Sequence, residues 1–231
     1  MSKRQAGAGE AVQGSVVNAR TTGSGKSVKP DNPVGFGWKC QWLAVPSSDT
    51  RAVATAIGLD RIKTSNWRTG LEAAHALDAG SVFVTPPIHG WVLAVGWGLP
   101  GTKWMRTRYV REELMTSLSI RFGEAQYYAS HRGSGAVEWA RYIKGREMRV
   151  FAYGDGQISH DRGQPYPEEA GLVPTPATSE DEGQYWGPDE DDVLRIAAAW
   201  SLDPSQLDQA GLPPSVGVLG VCNSGDREEM F

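Results

Sequence analysis

The stretch Ala125 to Gly156, AQYYASHRGSGAVEWARYIKGREMRVFAYGDG, decides the fold. Within Ala136 to Lys144, one parity carries Val137, Trp139, Arg141 and Ile143, and the other carries Glu138, Ala140, Tyr142 and Lys144. Period-two alternation marks a β-strand, whose successive side chains point to opposite faces. Lys144-Gly145 forms a tight hairpin, because glycine takes the positive φ such a turn requires, and Met148, Val150 and Ala152 alternate beyond it. Gly133-Ser134-Gly135 marks the turn before it. The stretch therefore reads as three consecutive antiparallel strands on which the rest of the chain packs.

Upstream, Cys40 to Val45 (CQWLAV) is a first strand, and Asp49 caps a helix over Thr50 to Ile57 that Gly58 closes. Asn66 or Ser65 caps a second helix over Trp67 to Leu77, with Trp67, Leu71 and Ala74 on one face. SVFVT (Ser81 to Thr85) and WVLAVGW (Trp91 to Trp97) are strands separated by Pro86-Pro87 and His89-Gly90, and Val110 to Phe122 is a third helix. Downstream, five prolines between Gln157 and Pro188 argue for a long irregular excursion. Asp189 to Trp200 is the clearest helix, with acids in its first turn and Val193, Ile196, Ala197 and Trp200 on its apolar face. The expected architecture is α+β, a mostly antiparallel sheet with about four helices packed on one face. Residues 1–34 are read as a flexible leader, 35–208 as a single domain including the acidic Pro/Gly-rich excursion at 157–188, and 209–231 as an extended C-terminal tail.

A chain of 231 residues with 40% hydrophobic and 22% charged residues has ordinary globular composition. No apolar run approaches the roughly 18 residues of a membrane span, and MSKRQAGAGE lacks a secretory apolar core, so a cytoplasmic location is expected. Cys40 and Cys222 are read as idle thiols. The net charge of −4 is unevenly spread, since residues 155–194 hold eleven acids against Arg162 alone while the body before them is mildly basic. A nucleic-acid partner is not expected. Thr21 to Ser27 (TTGSGKS) imitates the end of a phosphate-binding loop, but Arg20 stands where glycine is needed and Pro30 and Pro33 block the helix that must follow. No HExxH, CxxC, GxSxG or dinucleotide fingerprint is present, the four histidines lack metal-ligand spacing, and neither metal nor cofactor is expected.

Two sites remain. In the first, His131 meets Glu138 across the hairpin, giving a carboxylate-oriented imidazole, with Arg121 and Arg132 nearby to complete a small hydrolase or nuclease-like centre. Glu124 is excluded as the partner, being roughly 20 Å from His131 along one strand at about 3.3 Å per residue. In the second, SEDEGQYWGPDEDD (Ser179 to Asp192) interleaves seven carboxylates with two aromatics. Glu180, Asp181, Glu182, Asp189 and Glu190 would form an acidic rim around Tyr185 and Trp186, a composition suited to docking a basic protein partner.

The order of short phrases across Trp42 to Leu207 (WLAV, VFVTPP, GWVLAVGW, RFGEAQYY, HR, WAR and DEDDVLRIAAAWSLDP) resembles small bacterial α+β proteins associated with interbacterial toxin systems, many of which act as immunity proteins. The resemblance carries over no catalytic residue. It implies a non-enzymatic binding protein that occludes a toxin domain, with the hydrolase reading as the alternative.

Overall fold

The computed structural model describes residues 27–76, 80–100, 108–172 and 187–222. The hairpin region forms as its alternation requires: β5 (Glu124–His131), β6 (Ala136–Ile143) and β7 (Arg146–Gly154) follow one another, and β8 (Gln157–Gly163) extends the series. Lys144 and Gly145 both have positive φ, 47° and 80°, and Asp155 and Gly156 repeat the pattern at 51° and 76°. Two positive-φ residues in succession are what a tight hairpin turn needs to match the twist of its strands.

The remaining strands are β1 (Gln41–Pro46), β2 (Leu59–Asn66), β3 (Ser81–Val84), β4 (Trp91–Val95) and β9 (Val216–Cys222). They join in one nine-stranded sheet of order β2-β9-β3-β4-β1-β5-β6-β7-β8, and every neighbouring pair is antiparallel. The helices are α1 (Thr50–Ala56), α2 (Trp67–His75), α3 (Arg108–Phe122) and α4 (Glu190–Trp200). Asp49 caps α1 by accepting from the Ala52 N–H at 3.0 Å, and Asn66 caps α2 by accepting from Thr69 at 3.1 Å.

The helices do not share one face, which corrects the expected arrangement. Strand parity divides the core in two. Trp42, Phe83, Leu93, Tyr128, Trp139 and Phe151 face a layer holding Trp67 and Leu71 of α2 with Val193, Ile196 and Trp200 of α4. Leu43, Val82, Val84, Val92, Tyr127 and Val150 face the opposite layer, with Val53 and Ala54 of α1 and Met115 and Leu118 of α3. The physical reason is visible in β3, whose four residues are all buried. A strand apolar on both parities must be covered on both sides.

One row of side chains runs through seven strands on the α2/α4 face, Leu219–Phe83–Val95–Trp42–Tyr128–Trp139–Phe151, each opposite the next in register. Trp42 stacks on Tyr128 at 5.1 Å between ring centroids and Trp139 on Phe151 at 4.3 Å. Such pairs add about 0.5–1.5 kcal/mol each beyond the area they bury.

Three segments depart from the sequence reading. Leu59–Asn66, assigned to no element, is edge strand β2, with a register shift between Asp60 and Lys63 and Arg61 at φ 50°. Bulges and charges of this kind blunt a sheet edge. The expected tail contributes β9, seated between β2 and β3. Within the expected irregular excursion, β8 is followed by a 3-10 turn at Pro167–Glu169, and both are tied down by Arg149, which has no exposed surface. Its Nε donates to the Glu169 carboxylate at 2.9 and 3.0 Å, and its Nη1 meets Asp161 at 2.5 Å. A buried cation needs such partners, and here they fold a proline-rich segment onto the sheet.

Candidate functional site: an acidic cleft at the start of α4

Three elements meet at one end of the sheet: the first turn of α4, the β5–β6 hairpin, and the turn Gly37 to Lys39 that leads into β1. Helix α4 starts where it does because Asp189 caps it, its Oδ1 accepting from the N–H groups of Asp191 (2.9 Å) and Asp192 (3.1 Å). Asp192 answers by accepting from the Asp189 N–H at 3.0 Å, closing a capping box. Acids in this turn are further favoured by the positive end of the helix dipole.

Glu190 alone of these acids turns inward and is 9% exposed. Its Oε1 accepts from the Lys39 N–H at 2.7 Å and from the Ser130 hydroxyl at 3.0 Å, and its Oε2 accepts from Arg132 Nε at 2.7 Å. Burial pushes the Glu190 carboxyl up, but the Lys39 N–H, the Arg132 guanidinium and the Ser130 hydroxyl together hold it below its ordinary value. One carboxylate thus ties the helix to the hairpin and to a turn in which Lys39 has a φ of 49°. A lysine in the left-handed region is uncommon and persists where its surroundings fix it. The residue before it, Trp38, is 43% exposed, and its indole N–H donates to Asp191 Oδ1 at 3.3 Å.

Between the hairpin and the start of α4 lies a cleft of about 300 Å3. His131, Arg132, Gly135, Ala136 and Val137 line it from the hairpin, and Pro188, Asp189, Glu190 and Asp191 line it from α4. The structure therefore brings together His131 and Arg132 of the expected hydrolase centre with Asp189 and Glu190 of the expected acidic rim. Glu180, Asp181, Glu182, Tyr185 and Trp186 lie outside the described residues, as does the phosphate-loop look-alike through Lys26.

The other two members of the expected hydrolase centre are elsewhere. Glu138 is paired with Arg111 of α3, at 2.5 and 2.8 Å, and is not among the residues that line the cleft. Burial raises the Glu138 carboxyl above its ordinary value, and Arg111 only partly offsets this. Arg121 lies with its guanidinium 5.3 Å from the centre of the Phe122 ring. His131 instead has Nδ1 3.1 Å from Ser134 Oγ and sits edge-on to Trp97, with ring centroids 6.3 Å apart. The cleft as formed can hold a cationic group against carboxylates beside an apolar wall, and it lacks the acid–base pair that was to drive hydrolysis.

The sequence reading missed Trp38, Ser130 and Arg111 as site or network residues, and had Asp191 only as one of the acids of Ser179 to Asp192. Trp38 carried a signal, since a tryptophan between Gly37 and a charged lysine is poorly placed for the core. Cys40 is buried, and desolvation pushes its thiol up to about 12, which removes it as a nucleophile at neutral pH. Neither cysteine is in a disulfide, and among the described residues no three His, Cys, Asp or Glu cluster as a metal site. No helix among the described residues is long and apolar enough to cross a membrane. Comparison of the chain with protein-family models, with curated proteins and with solved structures finds no match in any of the three.

Proposed function

We propose that this chain is a non-enzymatic cytoplasmic binding protein that docks a basic protein surface at the start of α4, acting as an immunity protein that occludes a toxin domain. The observation that carries the docking reading is the composition of one small surface: a cleft walled by Asp189, Glu190 and Asp191, with a half-exposed tryptophan bonded to one of those acids at its rim. A large amphipathic ring beside charge that rejects the wrong partner is the usual make-up of a protein-binding hot spot. The toxin assignment is the more specific step and rests on the resemblance of the sequence phrases. The hydrolase reading is set aside because it needed Glu138 on His131, and Arg111 holds that carboxylate.

The test is affinity capture of the tagged full chain from its native cells in moderate salt, beside Asp191→Lys and Trp38→Ala variants. Both substitutions are at exposed side chains and leave the core intact. The expected result is one basic protein at near-equal stoichiometry with the unaltered chain, strongly depleted with either variant. Equal recovery by all three, or an acidic partner, would remove this surface from the interface. Charge reversal at Glu180, Asp181 and Glu182 extends the test to the preceding segment, where the same proposal expects weaker association and a flatter salt dependence.

A further inference from the structure

The cleft at the start of α4 is, at about 300 Å3, at the lower limit of sites that hold a small-molecule ligand. Ala136, Val137 and Pro188 supply an apolar wall to its lining, Asp189, Glu190 and Asp191 supply carboxylates, and His131 and Arg132 stand on the hairpin side. An aliphatic stem that ends in a cation matches the wall and the carboxylates. Which cation is suggested by the bond that Glu190 already makes. Its Oε1 is engaged by Lys39 N–H and Ser130, whereas Oε2 holds the edge of a guanidinium through Arg132 Nε at 2.7 Å.

That resident arginine is loosely seated. The Arg132 side chain is 72% exposed, and the contact to Glu190 is through Nε. Among the described residues its terminal amino groups meet no acceptor. An exposed single-point pair of this kind contributes little, so Oε2 of Glu190 is the oxygen open to exchange. We infer that the cleft takes one arginine side chain of the partner, which displaces Arg132 from Oε2 of Glu190. Asp191 adds negative charge at the mouth, where it also accepts from the Trp38 indole N–H. Arginine is favoured over lysine because Oε2 already accepts from a guanidinium, which is weakly hydrated and delocalised, whereas an ammonium is a strongly hydrated point charge. The inference rests on the docking reading above and names the group that would enter.

Titration of the full chain with N-acetyl-L-arginine amide and, separately, N-acetyl-L-lysine amide tests it, followed by the backbone amide resonances of Val137 and Glu190. Arg132→Ala and Arg132→Gln each remove the resident competitor at an exposed position, and Asp191→Asn removes a mouth charge without changing shape. The arginine amide is expected to bind both Arg132 variants about tenfold more tightly than the unaltered chain, to bind Asp191→Asn more weakly, and to outcompete the lysine amide about tenfold. Equal affinity for the unaltered chain and both Arg132 variants, an equal response to the two amides, or no response overturns it. A partner still captured in an Asp191-dependent way while neither amide binds leaves the docking surface standing and removes the arginine. Arginine amide binding with no partner captured does the reverse.

Discussion

Replacing Glu190 by glutamine isolates the charge at the centre of the site. Glutamine keeps a carbonyl oxygen where Oε1 accepts from Lys39 N–H and Ser130, and puts an amino group where Oε2 accepts from Arg132. The lost pair involves a mostly exposed arginine, so the cost at neutral pH is about 1 kcal/mol and not the larger penalty of a broken buried pair. Glu190→Ala goes further by removing the acceptor of the Lys39 N–H, and costs about 2–3 kcal/mol, moderated because Ser130 Oγ lies 3.1 Å from the same nitrogen. The pH dependence gives the sharper check. The folded protein holds the Glu190 carboxyl below its ordinary value of 4.5, so its charge contributes stability that is fully present above the unfolded-state pKa and is lost as pH falls through the lower folded value. Protonated glutamate and glutamine are near-equivalent, so the urea midpoints of the unaltered chain and Glu190→Gln should differ at pH 7 and converge as pH falls through the lowered folded value. A difference that is absent at pH 7, or that does not shrink as the protein is acidified, would refute the Glu190 hub.

Three further outcomes follow from the fold. The Arg111–Glu138 pair lies between α3 and the sheet with both side chains largely buried, so Glu138→Ala alone should cost about 3–5 kcal/mol by stranding the guanidinium, whereas Arg111→Met with Glu138→Leu should cost much less; urea unfolding of the double-mutant cycle checks this. Because the Glu138 carboxyl is raised in the fold, its contribution runs opposite to that of Glu190: stability falls as pH rises from the ordinary carboxylate value through the folded one, and Glu138→Gln should flatten that slope. Truncation after Asp208 removes β9 from between β2 and β3, and circular dichroism with thermal melting should show loss of cooperative unfolding and not the silent deletion of a tail.

What hid β9 from the sequence is the same feature that seats it. Val216–Cys222 (VGVLGVC) is apolar enough for a strand, but Gly217 and Gly220 lower its β propensity and follow a Gly/Pro-rich approach, so the segment reads as coil. A Cβ on Gly217 would run into the Val84 carbonyl and the Phe83 ring, and one on Gly70 of α2 would strike the same ring. Phe83 is thus gripped from a helix and a strand nearly 150 residues apart in sequence, and both positions must lack a side chain for its ring to fit. Gly70→Ala therefore should destabilise by about 1–3 kcal/mol in thermal melts, although alanine is the better helix former, and a stabilised variant would show that the close approach does not exist. Local signals gave the hairpins at Gly133-Ser134-Gly135 and Lys144-Gly145 and the four helices, since each depends on spacing or on a turn residue next to it, whereas the turn at Asp155-Gly156 into β8 was missed. β2 was illegible because an edge strand buries little and its LDRIKTSN has no alternating pattern. The same limit applies to the site. Asp189 to Asp192 are legible as a helix start, but that Glu190 turns inward depends on Ser130 and Arg132, which reach it only once the register of β5 against β6 has placed the end of β5 beside α4. A rim acid and a hub acid have the same letter, and the sheet, by bringing that hairpin end to the helix, decides which of them Glu190 becomes.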